Sequence, residues 1–283
     1  LRSESPIAEV KSQLHRLGAR AQKGLGQHFL IDRSVLGKII SVAELAPSDT
    51  VIEVGPGLGI LTEEMAKRAG KVIAIEVDSK LASSLQKRLS KFANLTVIAA
   101  DVLQIDPQEL LDTKKNYKVV ANLPYYIAAP ILRHFLEASL KPSLMLVMVQ
   151  KEVGQSMVAA PGDMSILGIS VQLYGKPTIV DYVPAQSFHP QPKVDSAIVR
   201  IEVYPKPAID VSDISGFFEV VKAGFSAPRK QIRNSLALGL QLTSAEAEEL
   251  LEKAGIKPQR RPETLSLDEW ASLQRAFPSR YKQ

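Results

Sequence analysis

The stretch Thr50-Val51-Ile52-Glu53-Val54-Gly55-Pro56-Gly57-Leu58-Gly59 decides the fold. A short β-branched run leads into three glycines at alternate positions, and an amphipathic pattern from Leu58 to Arg68 follows. Val51-Ile52 is apolar without alternation, as in a strand covered on both faces. Glycines at the turn let the backbone bend sharply and approach a ligand without a Cβ in the way. The helix that follows would present unpaired N–H groups at its start.

Working outward, the same grammar repeats. Strands are expected at Thr50–Val54, Lys71–Glu76, Leu95–Ala99, Lys118–Asn122, Leu144–Gln150, Thr178–Val183 and Ala197–Val203. Segments at Leu58–Arg68, Ser79–Ser90 and Ala129–Ala138 carry apolar residues at helical spacing. This alternation predicts βαβ units, a mostly parallel sheet and right-handed crossovers. Between the last two strands no long helix is evident, which allows an antiparallel hairpin at one sheet edge. After Tyr204-Pro205-Lys206-Pro207 the pattern becomes helical only, with helices expected at Ile214–Gly224, Arg229–Leu238, Ser244–Ala254 and Ser266–Ala276. The division expected is a Rossmann-like domain over 1–205, with a basic N-terminal segment, and a small all-α domain over 206–283.

The 283 residues include no cysteine, which excludes disulfides and thiolate metal sites. The four histidines, His15, His28, His134 and His189, have no metal-ligand spacing, so no metal is expected. No apolar run approaches the ~20 residues that span a bilayer. The opening Leu1-Arg2-Ser3-Glu4-Ser5-Pro6 lacks the apolar core of a secretory signal, so a cytoplasmic protein is expected. Net charge is +5. Three stretches are basic and free of acids: Lys11, Arg16, Arg20 and Lys23; Lys222, Arg229, Lys230 and Arg233; and Lys253 to Arg261. Each could be a solvated helix face, but three together favour phosphate contact.

The glycine spacing, G-x-G-x-G, is not the dinucleotide G-x-G-x-x-G. Alone it does not separate a nicotinamide cofactor from S-adenosylmethionine. Glu76, at the end of the next strand, is placed to accept from ribose hydroxyls. Asp101 follows the third strand and could accept from an adenine amine. The fourth strand runs into Asn122-Leu123-Pro124-Tyr125. An adenine exocyclic amine is a poor nucleophile because its lone pair is delocalised into the ring. Two acceptors, the Asn122 side-chain oxygen and the Leu123 carbonyl, would favour its pyramidal form, with Pro124 holding both on one side. Tyr125 offers a face on which a flipped-out base can stack. The alternative for these four residues is a plain Asx/Pro turn.

Taken together, Gln27-His28-Phe29-Leu30, Glu53 to Gly59, Glu76, Asp101 and Asn122 to Tyr125 resemble the ribosomal RNA adenine dimethyltransferase family of the KsgA type. Phe188-His189-Pro190-Gln191-Pro192-Lys193-Val194-Asp195-Ser196, Phe225 to Leu236 and Arg261 to Ser266 carry the resemblance to the end of the chain. It implies a class I S-adenosylmethionine-dependent methyltransferase sheet, with an antiparallel edge and a helical C-terminal domain. It implies dimethylation of two adjacent adenosines near the 3′ end of small-subunit (16S) ribosomal RNA, in subunit biogenesis, by a monomer. It implies cofactor contacts at His28, Leu30, Gly55, Gly57, Gly59, Glu76, Asp101 and Asn122, and Phe188 as a second stacking face for the base. His28 departs from the asparagine more frequent there, though a histidine can still make one hydrogen bond. A nicotinamide oxidoreductase, a DNA adenine methylase, a large-subunit methyltransferase of the antibiotic-resistance type and a non-catalytic RNA-binding assembly factor are the competing readings. The glycine spacing, Asn122, the C-terminal signatures and the intact Asn122-to-Tyr125 turn argue against each in turn.

Overall fold

A computed structural model describes residues 5–16, 18, 27–111, 116–211 and 213–277. The glycine-rich stretch starts as β2 (Thr50–Val54), with Val51 and Ile52 fully buried. It turns into α3 (Ile60–Ala66). On one side of β2 lie β3 (Lys71–Glu76) and β4 (Leu95–Ala99), and α4 (Ser79–Arg88) connects these two. On the other side come β5 (Tyr117–Asn122) and β6 (Leu144–Gln150), joined through α5 (Ala128–Glu137). The edge is built by β9 (Ser196–Val203) and β7 (Gly175–Val183). The order is β4-β3-β2-β5-β6-β9-β7. The first five strands pair in parallel, whereas β9 runs antiparallel to β6 from Leu144↔Glu202 to Gln150↔Ser196. This is the expected class I methyltransferase sheet, antiparallel edge included.

Two helices and a small ladder go beyond the sequence expectations. In α2 (Arg33–Ala43), Leu36, Ile39, Ile40 and Ala43 turn inward, and Asp32 caps the first turn through Ser34 and Val35 N–H. This face packs with Met65, Val72, Leu146 and Ile198 in the main core. In α1 (Pro6–Arg16), Val10 and Leu14 pack on Phe29, with Ile31 and Leu58 alongside. The pair of apolar residues four apart was hidden among charges. Phe29 and Leu30 form β1, which pairs antiparallel with β8 (Phe188–His189) in the register Phe29↔His189 and Leu30↔Phe188.

The chain separates into two compact units, 1–154 with 176–203, and 155–175 with 204–283. Segment 155–175, with the end of α6 (Lys151–Met157) and all of α7 (Ile166–Tyr174), belongs with the C-terminal helices for a visible reason. Gly162 and Met164 N–H both donate to the Glu263 carbonyl, and Tyr204 N–H donates to the Tyr174 carbonyl at 2.8 Å. In this unit α8 is Ile214–Gly224, α9 Ile232–Leu240, α10 Ser244–Lys253 and α11 Leu267–Ala276. The helix expected from Arg229 begins only at Ile232, because Pro228 is the second residue of a turn closed by Lys230 N–H on the Ala227 carbonyl, and Gln231 is the extended N-cap. Thr243 with Glu246, and Ser266 with Glu269, form reciprocal capping boxes on α10 and α11.

The centre of the second unit is Trp270, fully buried and stacked on Phe225 at 5.6 Å. A Cβ on Gly224 would lie 2.4 Å from the Trp270 ring edge. A rigid indole cannot swing away as a flexible chain end can. Alanine at Gly224 gains up to about 1 kcal/mol in helix propensity but overpacks the core by about 1–3 kcal/mol. Gly224→Ala should therefore lower the urea midpoint of the second unit, read by fluorescence of Trp270, the single tryptophan in the sequence. An unchanged midpoint would show that the indole has room to move.

Candidate active site

Within the first unit the C-terminal ends of β2, β3 and β5, together with β1, enclose a cleft of about 1060 Å³. His28, Leu30, Gly55, Gly57, Glu76, Asp101 and Asn122 to Tyr125 all line it. The sequence placed these residues on separate strands, and the parallel sheet brings them to one edge.

Gly55 and Gly57 hold φ of 65° and 55°, a region that other residues rarely enter. A Cβ on Gly57 would meet the Phe29 ring at 3.0 Å, so β1 and the loop need the bare backbone there. Gly59 differs from expectation. It does not line the cleft but faces Leu85, whose Cδ1 would be 2.1 Å from an added Cβ. Its φ of 73° and this close packing explain the glycine structurally.

Glu76 is 5% exposed. Oε2 accepts from Gly57 N–H at 3.0 Å, and Oε1 accepts from Asp78 N–H at 3.1 Å. Burial pushes its carboxyl up, and these N–H groups pull the other way. A carboxylate has about four acceptor positions, so capacity for two hydroxyl donors remains. Asp101 spends Oδ1 on Leu103 N–H at 3.0 Å and is otherwise exposed at the cleft. A glycine-walled cleft with two carboxylates on successive strands fits the ribose and adenine of S-adenosylmethionine.

The other end of the cleft offers neutral acceptors. Asn122 Nδ2 donates to the His28 carbonyl at 3.1 Å, which leaves Oδ1 as an acceptor. Leu123 N–H is held by the Met148 carbonyl at 3.0 Å, and the Leu123 carbonyl has no donor among the described residues. Tyr125 is fixed at both ends. Its hydroxyl shares a 2.5 Å hydrogen bond with the Ser196 hydroxyl, and its ring stacks on His28 at 5.5 Å. Burial pushes the Tyr125 hydroxyl up, so it stays protonated. His28 braces this arrangement, since its Nδ1–H donates to the Pro190 carbonyl at 2.7 Å.

Phe188 is not brought to this site. It is 2% exposed, lies in the main core with Leu30 and Val183, and does not line the cleft. Pairing β8 with β1 turns its ring inward. The exposed aromatic at the cleft is instead Tyr126, 53% exposed.

Among the basic residues, Lys11 and Arg16 lie on α1, while Arg20 and Lys23 fall outside the described residues. Lys222, Arg229 and Lys230 are exposed. Arg233 instead bonds Glu248 at 3.1 Å. Arg260 is likewise structural, gripping Glu269 and the Thr264 carbonyl. No group of three or more acids and histidines among the described residues could hold a metal, and no described helix could cross a membrane.

Three contributors escaped the sequence reading. Ser196 and the backbone of His28 act through contacts that no spacing reveals. Glu53 stands within the glycine stretch, but its burial shows only in the fold. It lines the cleft at 2% exposure, and its Oε2 has no hydrogen-bond partner. Burial pushes this carboxyl up to about 8, with Thr62 alongside opposing the shift and Glu76 adding to it. Above its ordinary 4.5 the unfolded chain loses this proton, while the folded chain keeps it until about 8. The folded state binds more protons across that window, so stability falls as pH rises through it. Glu53→Gln removes this titration. Its Tm should gain on the wild type steadily from pH 5 to pH 8, and a gap independent of pH would refute the assignment.

Residues 18–277 match the sequence model of the ribosomal RNA adenine dimethylase family. The ribosomal RNA small subunit methyltransferase A of Dehalococcoides mccartyi is 51% identical over 271 residues, covering 95% of this chain and 92% of its own length. Its counterpart in Pelotomaculum thermopropionicum is 44% identical over 282 residues, covering 95% and 96%. Among solved structures, a dimethyladenosine transferase from Plasmodium falciparum superposes with a TM-score of 0.73 at 27% identity, covering 87% of this chain and 96% of that one. The 23S rRNA methyltransferase ErmE superposes with a TM-score of 0.67 at 29% identity, covering 88% and 98%. Sequence and geometry meet on the same residues, and the chain belongs to the ribosomal RNA adenine dimethylase family.

Proposed function

We propose that this chain transfers methyl groups from S-adenosylmethionine to the exocyclic amines of two adjacent adenosines near the 3′ end of small-subunit ribosomal RNA. The observation that carries the chemistry is the orientation of Asn122. With Nδ2 committed to the His28 carbonyl, Oδ1 and the Leu123 carbonyl remain to receive the two hydrogens of an adenine amine. That pairing draws the nitrogen lone pair out of conjugation and aims it along the cleft. Tyr125, anchored by Ser196, supplies the stacking face and sets the height of the base.

The cofactor, when bound, supplies a methyl group on a sulfonium, an electrophile that requires no metal. The chain's own tasks are therefore positioning and exclusion of water. Glu76 and Asp101 would hold ribose and adenine. His28 and Leu30 would close the cleft over them. The choice of small-subunit RNA follows the relatives named for that substrate at 51% and 44% identity, against 29% for the large-subunit enzyme ErmE. The C-terminal helices, with Lys222, Arg229 and Lys230 exposed, are assigned to RNA contact. The same proposal has the protein act on immature subunits in the cytoplasm, as a monomer.

Tritiated methyl transfer to undermethylated small subunits, large subunits and protein-free RNA, followed by nucleoside analysis, tests this reading. Dimethyladenosine should form in small-subunit RNA, and label confined to large subunits would overturn the substrate. Asn122→Ala should still bind S-adenosylhomocysteine and RNA while transfer falls by about 10²–10³-fold, the scale of losing one polar contact to a reacting group. Full activity in that variant would leave the turn merely structural.

A further inference from the structure

A second concavity, of about 690 Å³, lies between the end of α1 and the outer face of α4. Arg16, Lys80, Lys87 and Arg88 line it with Ser79, Ser83 and Ser84, and among the described residues no carboxylate does. The inner face of α4 is accounted for by buried Leu81, Ala82 and Leu85. Positions 80, 83, 84 and 87 then share the opposite face by helical spacing.

The cations here are placed differently from those just after α3. There, Lys67 and Arg68 pair with Glu64 at 2.6 and 2.7 Å. Lys80, Lys87 and Arg16 have no carboxylate within ion-pair distance among the described residues. Lys87, near the C-terminal end of α4, is explained by the helix dipole alone. Lys80 is not, because it stands in the first turn, where the dipole disfavours a cation. Asp78, the N-cap, uses Oδ1 on the Lys80 and Leu81 N–H groups. Three cations with no carboxylate partner among the described residues, and three hydroxyls, surround one hollow and form an anion-binding surface.

Two features decide the kind of anion. Lys80 and Lys87 are seven residues apart, about 10 Å along the helix, which is too wide for one phosphate and suits two separate phosphates along a strand. Arg88 lines this hollow and the cofactor cleft alike, and its guanidinium donates to the Leu58 carbonyl of the glycine loop. Arg88, which also pairs with Glu63 at 3.7 Å, thus joins the hollow to the cleft rim. Resting on the methyltransfer reading above, we propose that the α1–α4 face binds the sugar–phosphate backbone of the substrate RNA, apart from the end that receives the base.

The test uses the full chain and a labelled small-subunit RNA hairpin, with affinity measured across salt concentrations. Lys80→Ala/Lys87→Ala is compared with Lys141→Ala/Lys176→Ala, which removes the same charge elsewhere on the first unit. Losing two phosphate contacts should flatten the slope of log K against log salt by about 1.4–1.8, at about 0.7–0.9 per contact. KM for RNA should rise while S-adenosylhomocysteine binding stays at the wild-type value. The control pair should keep the wild-type slope. A slope equal to the control overturns the proposal, as does a hollow that binds inorganic phosphate while the RNA slope is unaltered. Wild-type chain that binds no small-subunit RNA would overturn the functional reading itself. Wild-type methylation with an unaltered variant slope would sink this surface alone.

Discussion

The hydrogen bond from the Asn122 amide nitrogen to the His28 carbonyl is the constraint on which the site depends. A side-chain amide can present either its oxygen or its nitrogen, and only the oxygen accepts an amine hydrogen. The choice is made by a backbone carbonyl, which can only accept. That carbonyl is in turn held by the short β1–β8 ladder next to it and by the bond from His28 Nδ1 to Pro190. Tyr125 is tied to Ser196, the first residue of β9. The antiparallel edge of the sheet and its flanking ladder therefore brace a site whose reacting groups sit on the parallel half.

The strands were legible because β-branched runs bounded by turn residues carry a strong local signal. β2, β3, β4 and β6 coincide with the expected ranges, and β5 and β9 each begin one residue earlier. The sheet then fixed which strand ends meet, so Glu76, Asp101 and Asn122 could be placed on one edge before any coordinates. What depended on tertiary partners was not legible. Helix α1 is stabilised by Val10 and Leu14 meeting Phe29, a contact between segments with no shared pattern. Segment 155–175 joins the C-terminal helices through the Glu263 carbonyl, a backbone contact invisible to residue type. Phe188 and Gly59 stand in motif positions, but strand pairing turned one into the core and Leu85 packs against the other.

The same distinction sorts the charges. Basic composition alone could not tell a phosphate ligand from a structural cation. Arg233 and Arg260 are partnered by Glu248 and Glu269 within their own unit, so they hold helices. Lys80 and Lys87, read from sequence only as part of an amphipathic helix, face a hollow with no acid in it among the described residues. Partner count, rather than charge, separates the two kinds.

The neutrality of the acceptor pair follows from its surroundings. Glu53 and Glu76 are already buried at the cleft, and burial pushes both carboxyls up. A carboxylate in place of Asn122 would add a third acid to one desolvated space, where like charges raise one another's cost of ionisation. An amide oxygen and a peptide carbonyl give the same two acceptors without that penalty. They also suit a reaction performed twice on one nitrogen. The unmodified amine engages both acceptors, and after one transfer a single hydrogen remains for either of them. Hydrogen bonding therefore weakens between the first and second methylation, while stacking on Tyr125 is indifferent to how many methyls the nitrogen carries. The second transfer leans on the ring, which is why a tyrosine pinned by both Ser196 and His28 belongs beside the acceptors.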